Sequence, residues 1–200
     1  FFASIIVYYG KSKMAFYIGG LILIAYWMLS FLLGSQGHPY SLSGFFGNAI
    51  DQAILGVTHI YKGEGVPFDP EGFLSTFPSM VNVIIGYYAG VALRDKGKEY
   101  ETITKILIAG VVLVAIAYCW NYCLPINKKL WTGSFVFYTC GIDLLLIGCL
   151  VFILDKTNYN KSWTYFFEVF GKNPLVIYLF SEVLATILYM TNIGNISLYH

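Results

Sequence analysis

A chain of 200 residues has room for one soluble domain of about 100–200 residues, but only 12% of these residues are charged and 58% are hydrophobic. Soluble proteins carry roughly 25% charge, and a mean hydropathy of +0.67 leaves too little polar side chain to clothe a water-facing globule. The chain is therefore read as all-α, a polytopic bundle of transmembrane helices, and its formal net charge of +1 gives no electrostatic basis for nucleic-acid binding.

The first segment, 1–9, is the tail of a span. It lacks an initiator methionine and the pattern of a signal peptide, so the chain is expected to be the interior of a longer protein, cut at both ends. After a basic turn at 11–13, residues 14–33 carry no charge and are long enough to cross a core of about 30 Å at 1.5 Å per residue. The stretch 34–75 is a long polar loop. Within it, 44–56 is amphipathic with Asp51 as its charge, an interfacial or re-entrant helix. Further spans are expected at 77–93, 103–124, 134–154 and 174–190. This makes about five full spans plus the tail of one more, in one partial membrane domain over 1–200. The apolar runs are continuous rather than alternating, which excludes a β-barrel. Gly171-Lys172-Asn173-Pro174 interrupts the last apolar region, with Asn173 a good N-cap and Pro174 a good first helical residue.

Basic residues give the sidedness. Nine of the 12 Lys and Arg fall on one side, in the loops at 11–13, 94–102 and 155–164, at Lys105 near the charged end of its span, and at Lys172. By the positive-inside rule these loops are cytoplasmic. The loop 34–75 and the loop 125–131, with Lys62, Lys128 and Lys129, then face outward.

Polar groups within spans mark function, packing or a wet cavity, which singles out Asn82, Asp143 and Glu182. In the outward loop, Asp51, His59, Tyr61, Glu64, Asp69 and Glu71 precede the 77–93 span. Asp69-Pro70-Glu71-Gly72 is a turn signal, and its carboxylates suit either a sugar hydroxyl or amine or the cap of a helix beginning at Ser75 or Thr76. His59 is either a general base, a role that histidine side chains can fill, or a solvated loop histidine. Asn127-Lys128-Lys129 with Trp131 is an outward polar site or an interfacial anchor. Lys172 beside a helix N-terminus is an anion site or a kinked entry into the membrane. Cys119, Cys123, Cys140 and Cys149 lie in apolar segments. They are expected to be buried thiols, with no flanking ligands for a metal.

Taken in order, Ile50-Asp51 through His59-x-Tyr61, Phe68-Asp69-Pro70-Glu71-Gly72, Gly86-x-x-x-Gly90, Leu124-Pro125-Ile126-Asn127-Lys128-Lys129-Leu130-Trp131 and Gly171-Lys172-Asn173-Pro174 with Glu182 resemble the heparan-α-glucosaminide N-acetyltransferase family. The bacterial members of that family are the NagX-like, DUF5009-type proteins. The resemblance implies transmembrane acetyl transfer at a bacterial inner membrane. Cytoplasmic acetyl-CoA is the co-substrate, with no metal, and the amine of a glucosamine-type sugar on the periplasmic side is the acceptor. It puts Asp51, His59, Asp69, Glu71, Asn127 and Lys128 on the acceptor side, and Lys172 and Asn173 on the CoA side. The implied partners are the lipid bilayer and a small amino sugar, with self-association left open. The family's active-site histidine falls ahead of residue 1, so these 200 residues alone are expected to be inactive. A transporter or sugar-lipid flippase, and a scaffold subunit, are the competing readings.

Overall fold

The computed structural model describes residues 1–10, 12–63, 65–97, 99–157, 162–193 and 196–197. Lys11, Glu64, Lys98, Lys161 and His200 lie outside the described residues. Contacts divide the chain into two units, Phe1–Asp155 and Lys156–His200.

The first unit holds α1 (Phe2–Tyr9), α2 (Ser12–Leu33), α3 (Gly47–Leu55), α4 (Thr76–Asp95), α5 (Tyr100–Asn121) and α6 (Gly133–Lys156). Four helices are apolar and long enough to cross a membrane: Lys13–Leu33 within α2, and then α4, α5 and α6. Their ends follow local chemistry. Pro78 sits in the first turn of α4, where a missing N–H costs nothing. Arg94 in its last turn meets the negative end of the helix dipole. Gly97, with φ +70, reverses the chain into α5. Helix α5 stops at Asn121 rather than at the expected 124, because the Asn121 Oδ1 accepts the N–H of Ile126 at 2.8 Å and Pro125 disfavours a helical residue before it.

Helices α1, α2 and α4 pack through Ala3, Ala15, Met80 and Ile84. Helices α2, α4 and α6 pack through Leu23, Val81, Val136 and Cys140. Helices α5 and α6 meet backbone to backbone. A Cβ added at Gly141 would lie 2.7 Å from Val114 Cγ2 and 2.8 Å from the carbonyl of Gly110. Glycine is needed at this crossing because nothing else lets the helices approach so closely. Gly86 and Gly90, by contrast, face open space.

Cys140 is buried, but Cys119, Cys123 and Cys149 are exposed, against the expectation that all four are enclosed. Hydrophobicity does not distinguish a protein-facing from a lipid-facing position in a membrane helix, since lipid tails are as apolar as leucine.

The second unit holds α7 (Ser162–Lys172), α8 (Pro174–Met190) and a two-residue antiparallel pairing of β1 (Asn192–Ile193) with β2 (Ile196–Ser197). Thr164–Lys172 and Pro174–Met190 are bent by 92°, a broken span or a re-entrant loop. Pro174 opens α8 as expected, but Asn173 does not cap it with its side chain. Its Nδ2 points backward and donates to the carbonyl of Val169 at 2.9 Å.

Candidate functional site

The loop between α2 and α4 folds as a cap over one end of the first unit. Tyr26 near the end of α2, Phe45 and Phe46 before α3, Phe68, and Leu130 from the α5–α6 loop form a buried cluster. The Tyr26 hydroxyl donates to the carbonyl of Leu130 at 2.8 Å. This apolar pin unites two loops that the sequence holds some sixty residues apart.

Asp51, the charge on the amphipathic α3, is turned inward and is 2% exposed. Its Oδ1 accepts the N–H of Phe73 at 2.9 Å. Burial pushes its carboxyl above the ordinary range; the Phe73 N–H partly offsets this, and the nearby Asp69 pushes it up further. A Cβ on Gly72 would sit 2.1 Å from Asp51 Oδ2, so the glycine of the DPEG turn is what admits the carboxylate. Asp69 is a turn-former: its Oδ1 accepts the N–H of Glu71 at 2.9 Å, and its carbonyl accepts the N–H of Gly72. Neither carboxylate of the turn caps α4. Ser75 holds the N-cap position, and its hydroxyl donates to the carbonyl of Gly72 at 2.6 Å.

The α5–α6 loop is organised by Asn127. Its Oδ1 accepts N–H groups from Lys129 and Leu130 at 2.9 and 3.4 Å, and its own N–H donates to the Thr132 hydroxyl at 3.1 Å. This winding puts Trp131 at φ 50, a left-handed backbone rare for a bulky residue. The indole Nε1 donates to Asn82 Oδ1 at 3.1 Å, and Asn82 Nδ2 reaches Thr139 Oγ1 at 3.1 Å and Cys140 Sγ at 3.2 Å. Asn82 is thus the polar link between α4, α6 and the α5–α6 loop. Lys128 is exposed beside this loop.

Two cavities flank this link. One, of 190 Å³, lies at the cap and is lined by Pro70, Glu71, Ser75, Thr76, Ser79 and Trp131. The other, of 490 Å³, lies among α2, α4, α5 and α6. Its walls are mostly apolar, from Gly19 and Leu23 to Phe137, while Lys96, Thr102 and Lys105 line it where α4 ends and α5 begins. The sequence offered Trp131 as part of an outward polar site or an anchor, and gave no role in binding to Ser75, Thr76, Ser79, Lys96 or Lys105. A signal was present in the hydroxyls at 75 and 79, one helical turn apart at the start of a span.

The remaining expected residues are dispersed. His59 is exposed, and among the described residues its Nδ1 bonds only with the neighbouring Thr58 hydroxyl, at 3.2 Å. Asp143 and Glu182 are both exposed on their helices. Lys172 is committed to an ion pair with Glu168 at 2.7 Å, one turn back on α7. Among the described residues no group of three or more His, Cys, Asp or Glu is placed to hold a metal.

No family model matches the chain. It is 26% identical over 166 residues to the heparan-alpha-glucosaminide N-acetyltransferase of Homo sapiens, and 26% identical over 169 residues to the Mus musculus protein of the same name. Each match covers 76% of this chain. The chain is thus distantly similar to heparan-alpha-glucosaminide N-acetyltransferases. It spans about a quarter of the length of these relatives, 25% in each case.

Proposed function

We propose that this chain is the membrane-embedded part of an N-acetyltransferase, with the acceptor amine held at the cap and acetyl-CoA supplied from the opposite, basic end. Kinship to N-acetyltransferases carries this reading. The unlike ends of the first unit support it: a folded cap bearing Asp51, Asp69 and Glu71, and lysines at the far end of an apolar cavity. The acceptor is an amino sugar of the glucosamine class. The cap is periplasmic and the loops at 94–102 and 155–164 are cytoplasmic, as the distribution of Lys and Arg favours. The membrane is a bacterial inner membrane.

In this reaction the amine, freed of its proton, attacks the thioester carbonyl. The C–N bond forms, the C–S bond breaks, and CoA leaves as the thiol with the proton the amine gives up. A membrane-enclosed site keeps bulk water from hydrolysing the thioester. Lys172 and Asn173 are proposed at the CoA side, where Lys172 would exchange Glu168 for a phosphate.

Labelled acetyl-CoA and glucosamine, presented to membranes carrying the full-length protein that contains this chain, test the proposal. Labelled N-acetylglucosamine is the expected product, with at least tenfold less from Lys172→Ala membranes. No product and no CoA binding sinks it. Transport of sugar without CoA would install the carrier reading, which the 92° break between α7 and α8 favours.

A further inference from the structure

We infer that the 190 Å³ cavity at the cap is a subsite for a single amino-sugar ring, with the ammonium on Glu71 and the apolar face of the ring on the Trp131 indole. The inference rests on the acyl-transfer reading for the role of the bound amine, but not for the binding itself.

The lining has a specific chemistry. It offers one carboxylate, three hydroxyls from Ser75, Thr76 and Ser79, and two apolar plates in Pro70 and Trp131, and no cation lines it. An amino sugar presents the complement: one ammonium, several hydroxyls and a C–H face. The lining's one formally charged side chain is the Glu71 carboxylate, which repels a phosphate or carboxylate ligand and attracts an ammonium. The volume lies below the roughly 300–1,000 Å³ of sites for drug-sized ligands, which restricts the occupant to about one ring.

The groups are also held in place. The N–H of Glu71 is fixed by Asp69, which leaves its side chain to reach from a rigid turn. Among the described residues that carboxylate has no hydrogen bond or ion pair. Ser75 and Ser79 donate their hydroxyl protons to the carbonyls of Gly72 and Thr76, at 2.6 and 2.8 Å. Their remaining lone pairs are acceptors for sugar hydroxyls. The indole is oriented from two sides, by its bond to Asn82 and by an edge contact with Phe135 at 5.5 Å between ring centres. A fixed aromatic plate suits both stacking and attraction of a cation.

The test is calorimetric titration of the full chain in nanodiscs with glucosamine and with glucose, without acetyl-CoA. Glucosamine is expected to bind about tenfold more tightly than glucose, the effect of one charge-assisted hydrogen bond. Glu71→Gln should abolish that preference. Trp131→Phe should weaken both sugars. Because Trp131 also anchors Asn82, Ser79→Ala serves as a second variant, weakening both sugars without touching the indole. An unchanged glucosamine affinity in Glu71→Gln and Ser79→Ala overturns the inference, as does the absence of glucosamine binding to the unaltered chain. Glu71-dependent binding with no acetyl transfer by the full-length protein would leave the subsite standing and sink the acyl-transfer reading. Transfer with an unchanged KM for glucosamine in Glu71→Gln would do the reverse.

Discussion

Asn127 shows how one short amide shapes a loop. Its carbonyl oxygen accepts two N–H groups of the turn, and the turn throws Trp131 toward Asn82. Asn127→Ala should destabilise the chain by about 1–3 kcal/mol through loss of these hydrogen bonds. Asn127→Asp keeps both acceptor lone pairs and should cost much less. Thermal unfolding of both variants in detergent separates the two. The family resemblance implies Asn127 as an acceptor-side residue, but a resemblance does not show which hydrogen bonds an amide already makes. Glu71 and Asp69 were equally indistinguishable in the sequence, and only the turn shows that Asp69 is occupied by a backbone N–H while Glu71 is not.

At the scale of the helix, the α5–α6 crossing depends on small residues. Gly141→Leu would push a branched side chain into Val114 and the carbonyl of Gly110. It should lower stability by about 1–3 kcal/mol or more through overpacking. Gly90→Leu, at a glycine with nothing within 4 Å, should cost far less, and comparing the two unfolding midpoints checks the assignment. The spans themselves were legible, since uncharged runs of this length have one stable state in lipid. Helix α8 lies at the expected 174–190 and α3 within the expected 44–56. What could not be read was which face of each span meets protein. The three exposed cysteines are the instance, because in lipid both faces obey the same apolar rule.

Across the whole first unit, the cap is where titration meets architecture. Between the ordinary carboxylate value of 3.8 and its raised value in the fold, Asp51 holds a proton that the unfolded chain has released. Stability contributed by this group is therefore largest at low pH and declines as pH rises through that window. An unfolding-midpoint series across acid pH should show that decline, and Asp51→Asn should flatten it. The cap's existence was legible as a long polar loop with an amphipathic insert. Its closure on the α5–α6 loop was not, because Phe68 and Leu130 carry no mark of partnership in a chain so rich in apolar residues. Asp143 has a different consequence, for biogenesis. It is the eleventh of the 24 residues of α6, exposed at the helix centre and without a bond among the described residues. A charge at that depth costs about 2.5–3.5 kcal/mol on insertion scales. A newly made α6 is therefore a reluctant entrant to the bilayer by itself. It settles there once a companion segment arrives to shelter the carboxylate, which makes the timing of synthesis part of how this protein is built.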